Sequence, residues 1–172
     1  LSRVWNDSKP IILFIGLNPS TADDREDDPT LKKCINYAKS WGFGSLIMAN
    51  LFAYRATLPS TLKLAKDPVG IENDGILKKL IESVETVIVA WGNDGSFLER
   101  DKEVLKLVDN PMCLNINKSG KPSHPLYQKN NIKQKPKVIT KTTGAKMIYN
   151  LNCINDNTLA EESELLVYDE YQ

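Results

Sequence analysis

Ile11-Ile12-Leu13-Phe14-Ile15-Gly16-Leu17-Asn18-Pro19-Ser20 is an unbroken apolar run that stops at a glycine and gives way to a polar turn. An apolar run with no solvent face reads as a strand buried on both sides, the kind found in parallel sheets. Outward from it the pattern repeats. Asp28-Pro29 opens a helical stretch, with Asp28 suited to cap it and Pro29 to its first position. Leu31, Cys34, Ile35, Ala38 and Trp41 follow at helical spacing, and Gly42 and Gly44 end the stretch. Residues 45–52 form a second apolar run. Asp67-Pro68 and Glu72 begin a helix that continues through Ile76, Leu77, Leu80, Ile81 and Val84. Residues 86–92 are a third buried strand, 97–108 a helix, and 111–115 a short fourth strand. The order βα, βα, βα, β predicts an α/β fold with a parallel sheet flanked by helices. Such sheets place their sites beyond the carboxyl ends of the strands.

Length and composition agree with one globular domain plus a small addition: 172 residues, 41% hydrophobic and 26% charged. Residues 117–137 are polar and read as a loop, while 146–151 and 165–168 suit strands of an appendage. The division expected is an α/β domain over 1–140 and a C-terminal appendage over 141–172, possessing an acidic tail. No apolar run approaches a membrane span, and residues 1–5 carry no signal peptide. The three cysteines, Cys34, Cys113 and Cys153, are widely spaced and odd in number. Neither a disulfide framework nor a zinc site is expected, and free thiols point to a reducing, cytoplasmic setting. The 22 basic and 22 acidic residues cancel, but unevenly. Residues 110–155 hold eight lysines and no acid, residues 156–172 six acids and no base. The lysine-rich stretch suits either a polyanion partner or a plain solvated surface. The acidic cluster 23–28 lacks the alternation of a calcium loop and reads as a solvated loop.

Four strand ends carry the candidate chemistry. After the first strand, Gly16 permits a close turn, Asn18 projects a neutral donor and acceptor, and Pro19 stiffens the chain; the alternative is a mere Asn-Pro turn. The second apolar run ends its core at Asn50. In a parallel sheet Asn18 and Asn50 face one crevice, and an amide can read a base edge through its paired donor and acceptor. Asn50 alternatively orders the following loop. The third strand ends in Trp91-Gly92, where Trp91 is core or a wall beneath the site. After the fourth strand comes Ser123-His124-Pro125. His124, the only histidine, is suited to donate a hydrogen bond to a developing anion or to exchange a proton near neutral pH.

Together, residues 11–20, 46–50, 87–92 and His124-Pro125 resemble the uracil-DNA glycosylase superfamily. More closely, Phe14–Asp23, Asp27-Asp28-Pro29-Thr30, Trp41-Gly42-Phe43-Gly44, Asn50–Arg55 and Gly120–Tyr127 resemble the bacterial and phage family called domain of unknown function 1643. The glycosylase resemblance implies a three-layer α/β/α sandwich around a central four-stranded parallel sheet. It implies an enzyme of DNA repair type that hydrolyses the N-glycosidic bond of a base in DNA or in a nucleotide. Asn18 would orient water, Asn50 would pair with the base, and His124 would stabilise the leaving base. Gly16, Leu17, Pro19, Trp91, Gly92 and Pro125 would shape the pocket; Ser20, Ser123 and nearby amides would hold phosphate. Lysines of the 118–141 loop would add affinity for nucleic acid. No metal and no organic cofactor is implied. Residues 21–30 lack the usual stacking aromatic, which leaves Tyr37 or Phe52 to replace it. Leu126-Tyr127 stands where a serine commonly follows the proline. The alternatives are a nucleic-acid or nucleotide binding module without hydrolysis, and a phage-related base-modification enzyme.

Overall fold

The computed structural model describes residues 1–20, 22, 26–129 and, as backbone, 137–138. Its framework is a six-stranded sheet in the order β1-β3-β2-β4-β5-β6. The strands are β1 (Ser2–Val4), β2 (Ile11–Gly16), β3 (Ser45–Asn50), β4 (Thr86–Val89), β5 (Met112–Cys113) and β6 (Lys137–Val138). β3, β2, β4 and β5 run parallel. The two outer strands, β1 and β6, are antiparallel to their neighbours. The sheet is therefore mixed rather than wholly parallel. β1 was not legible because three residues give too short a pattern.

β2 lies in the centre, and Ile12, Leu13, Phe14 and Ile15 are fully buried. Alternate side chains go to opposite faces. Ile12 and Phe14 pack with Leu31, Cys34, Tyr37 and Ala38 of helix α1 (Pro29–Ser40). Leu13 and Ile15 pack with Leu62, Leu77, Ile81, Val104 and Leu105. These come from α2 (Pro59–Lys63), α3 (Asn73–Glu82) and α4 (Arg100–Leu107). Each such buried side chain contributes about 1.5–3 kcal/mol, which explains the unbroken apolar run. α1 begins as its sequence predicts: the Asp28 carboxylate accepts from Leu31 N at 2.8 Å, and Pro29 takes the first turn. Among the described residues no helix is long and apolar enough to cross a membrane.

Three expectations need correction. The helix predicted over 97–108 begins only at Arg100. A 3₁₀ turn, Asn93–Glu99, precedes it, and Leu98 and Glu99 adopt left-handed φ values of 53° and 54°. Leu98 is thereby turned outward instead of joining the apolar face. The helix assigned to begin at Asp67-Pro68 starts at Asn73, because Asp67 accepts from Gly70 N and closes a turn first. The loop of 117–137 is punctuated by a bridge between Ile116 and Pro122 and ends in β6. The predicted strands at 146–151 and 165–168, with the appendage over 141–172, lie outside the described residues.

Candidate functional site

β2 and β3 align so that Gly16 stands opposite Asn50. The chains leaving these strands stay side by side: Leu51 N donates to Gly16 O, Phe52 N to Leu17 O and Ala56 N to Pro19 O. This pairing brings Asn18 and Asn50 to the wall of one cavity of about 710 Å³, lying beyond the carboxyl end of the sheet. Trp91, Gly92 and His124 line it as well. Gly16 has an ordinary φ, so its role is space rather than a special turn. A Cβ there would come within 2.9 Å of both Asn50 Oδ1 and Met48 Cε.

The polar groups of the cavity have defined directions. Asn18 Nδ2 donates to Ala56 O at 2.6 Å and Pro19 O at 2.9 Å. Both partners are carbonyls, so the amide orientation is fixed and Oδ1 remains as an acceptor. Asn50 makes no side-chain hydrogen bond among the described residues, while its backbone carbonyl and that of Leu51 accept from Asn73 Nδ2. The buried Arg100 also donates to Leu51 O, and it pairs with Asp74 at 2.6 Å. The strand end is thus anchored from behind while the Asn50 amide keeps both its donor and its acceptor.

His124 Nδ1 accepts from Leu126 N at 3.2 Å. The proton of the neutral ring therefore sits on Nε2. Burial holds the His124 pKa below its ordinary 6.5, against a weaker upward pull from Asp28. The loop around it is fastened on three sides. Gly92 N donates to Pro122 O, and Gly92 adopts a φ of +76°, with His124 Cβ only 3.3 Å from where a Cβ would stand. Lys33 Nζ donates to the carbonyls of Leu126 and Gln128, and Tyr37 Oη to that of Lys129. Lys121 pairs with the buried Asp101 at 2.9 Å.

Several expected roles change. Ser123 does not line the cavity; it is buried, and its hydroxyl donates to Asn117 Oδ1 at 2.6 Å. Pro125 is likewise buried and outside the lining. Tyr37 and Phe52 cannot serve as stacking rings, because both are fully buried, Tyr37 against Trp41 and Phe52 against Phe97. Tyr127 is the aromatic at the mouth, 82% exposed and 5.8 Å from the His124 ring. Lys121, one of the lysines expected to meet nucleic acid, is paired with Asp101 within the loop's own support. In the acidic run, Asp28 caps α1 and Asp27 pairs with Arg3; residues 23–25 lie outside the described residues.

Asn93 is a further polar residue of the site that no sequence motif marks. Its Oδ1 accepts from Asn117 Nδ2 and Ser119 Oγ, both at 2.7 Å, which ties the turn after β4 to the loop after β5. Arg55 too belongs to the site; it lines the cavity and donates to Ser20 O and Ala22 O. A polar residue after each strand was the available signal for both. Among the described residues no three His, Cys, Asp or Glu side chains gather as a metal site. Among the described residues the cavity thus presents one fixed acceptor at Asn18, one unpaired amide at Asn50, one neutral imidazole donor at His124 and the Arg55 guanidinium, on a wall that includes the buried Trp91.

Neither the curated proteins nor the solved structures provide a match to the chain. The model of a family of proteins of unknown function, DUF1643, matches residues 1–126, from β1 through the His124 loop. The chain belongs to the DUF1643 family.

Proposed function

We propose that the cavity hydrolyses the N-glycosidic bond of a base in a nucleotide or in DNA. The observation that carries this reading is the complementarity of three groups lining one cavity. Among the described residues Asn18 Oδ1 is left as an acceptor, the Asn50 amide is unpaired, and the His124 ring keeps Nε2–H as a donor. The reading takes the sheet and its flanking helices as the α/β/α sandwich of the uracil-DNA glycosylase superfamily.

In the reaction, Asn50 pairs with the base edge and holds the glycosidic bond in place. The bond between the base nitrogen and the anomeric carbon breaks, and its electron pair leaves with the base. His124 Nε2–H donates to the carbonyl oxygen on which that charge gathers. A water accepted by Asn18 Oδ1 adds to the anomeric carbon and gives up its proton to solvent. Asn18 is neutral and takes no proton, so bond breaking runs ahead of water attack. A base inside a duplex must leave the stack to enter.

The test is release of free base from mononucleotides and from single- and double-stranded oligonucleotides carrying uracil or damaged bases. Release is expected, with a fall of about 100-fold or more in Asn18→Ala and His124→Ala, the scale of removing one positioned group. No release from any substrate refutes the reading. The neutrality of Asn18 favours a second reading, a binding module without hydrolysis; tight base binding by the wild type with no turnover supports it.

A further inference from the structure

We propose that the cavity continues into a phosphate subsite built on Arg55, and that it takes the terminal phosphate of a small nucleotide. This rests on the reading of the main cavity as a base and sugar site. A second depression of about 530 Å³ adjoins the main cavity and shares Ser20, Arg55, Ala56 and Thr57 with it. Thr61 adds a third hydroxyl-bearing residue.

Arg55 is the one arginine or lysine lining the main cavity among the described residues. Its NH1 group donates to Ser20 O at 2.7 Å and Ala22 O at 3.2 Å, which sets the direction of the guanidinium plane. An arginine has five N–H donors in a fixed fork. Among the described residues Nε and NH2 therefore keep three, and the partners of Arg55 there are carbonyls, which carry no neutralising charge. Among the described residues the lining holds two acids, both otherwise engaged: Asp94 pairs with Lys63 at 2.7 Å, and Asp28 caps α1. A planar cation with free donors beside hydroxyl groups is suited to a phosphate, which it can bind through two oxygens.

The surroundings favour a single phosphate over a polynucleotide backbone. A backbone needs a track of cations. Near the cavity, Lys33 is bonded to the carbonyls of Leu126 and Gln128, Lys63 to Asp94 and Lys121 to Asp101. An arginine that stands as the one free cation of the lining among the described residues is suited to one phosphate.

Binding to the full chain is measured by calorimetry with 2-deoxyribose 5-phosphate, 2-deoxyribose, inorganic phosphate and an unphosphorylated single-stranded deoxyoligonucleotide. The sugar phosphate is expected to bind at least about tenfold tighter than the sugar, as one charge-assisted contact supplies. Inorganic phosphate is expected to displace it. Arg55→Gln is expected to abolish the difference between sugar phosphate and sugar. Thr57→Val, which leaves the Arg55 bonds to Ser20 O and Ala22 O in place, is expected to weaken the sugar phosphate about threefold. Equal affinity for sugar and sugar phosphate, or an unchanged difference in both variants, overturns the subsite. An oligonucleotide that binds tighter than the sugar phosphate, with steep salt dependence, overturns it in favour of a backbone. Base release with no preference for phosphorylated substrates leaves the hydrolase reading standing without the subsite. Phosphate preference without base release does the reverse.

Discussion

Gly95→Ala tests how the deep wall of the cavity is built. Gly95 lies in the 3₁₀ turn 93–99, pressed on Trp91, which is 1% exposed. A Cβ at position 95 would stand 2.6 Å from Trp91 Nε1 and closer still to Cδ1. Unstrained contacts between such atoms lie at about 3.5–4.0 Å. An indole moves as one rigid plate, so the added methyl cannot be accommodated by swinging a flexible tip. The turn has to retreat instead, and Asn93 at its start holds Asn117 and Ser119. Overpacking of this kind costs about 1–3 kcal/mol, and two rigid partners place the change in the upper half, about 2–3 kcal/mol. At about 2–4 °C per kcal/mol for a chain of this size, Tm falls by about 4–12 °C. Gly75→Ala is the control. It sits in the first turn of α3, and its added Cβ meets nothing within 4 Å. Better helix propensity raises Tm there by about 1–2 °C. Thermal denaturation followed by far-UV circular dichroism reads both, and the near-UV tryptophan band changes only in Gly95→Ala. A Gly95→Ala protein that melts within about 1 °C of the wild type refutes the packing described.

Three further outcomes follow from the same geometry. In Gly16→Ala the new methyl displaces the Asn50 side chain and the mobile end of Met48. Stability is expected to fall by only about 1 kcal/mol, while base binding measured by calorimetry weakens about tenfold or more; unchanged binding refutes the role of Asn50. His124 is held below its ordinary pKa of 6.5, so below that pH the unfolded chain binds a proton the folded chain resists. Its contribution to stability is complete above about pH 6.5 and is lost on acidification. Urea titrations across pH 5–7 are expected to show that loss in the wild type and a shallower one in His124→Gln; identical slopes refute it. Lys121→Met leaves the Asp101 carboxylate buried without its cation and is expected to cost about 3 kcal/mol. The exposed Lys118 changed to Met is expected to cost about 0.5 kcal/mol or less; equal urea midpoints for the two variants refute the pairing.

What could be read from the chain follows from how local each cause is. The strands of residues 11–16, 45–50 and 86–89 are visible because each carries a continuous apolar run, buried on both faces at 12–15 and 87–89 and partly exposed over 47–50. The start of α1 is visible because Asp28 and Leu31 settle it between themselves within one turn. That Asn18 and Asn50 line one cavity was legible from strand direction, whereas His124, on a loop well beyond β5, was placed there only by the family resemblance. Other features depend on partners distant in sequence. Ser123 turns inward because Asn117 accepts its hydroxyl, and nothing in Ser123-His124-Pro125 announces that. Tyr37 and Phe52 carry aromatic character that fits a core or a ligand equally, and packing decides for the core. The late start of α4 depends on two left-handed residues, Leu98 and Glu99, whose side chains do not favour that conformation. Arg55 and Asn93 looked like ordinary loop residues until the loops they fasten were placed.

The order in which the cavity's walls lie along the chain also bears on how the protein matures. The lining residues fall near positions 16–20, 48–57, 91–94 and 117–127, so contacts of long sequence separation define the site. Contacts of that kind form slowly, because long loops must close first. The strand pairs β2–β3 and β2–β4 can form before the segment that carries His124 has left the ribosome. That segment is held in the fold by Lys33, Tyr37 and Asp101, whose partners all lie in it. A nascent chain can therefore hold a paired sheet whose crevice still lacks its His124 wall, and the cavity is complete only when that loop is added.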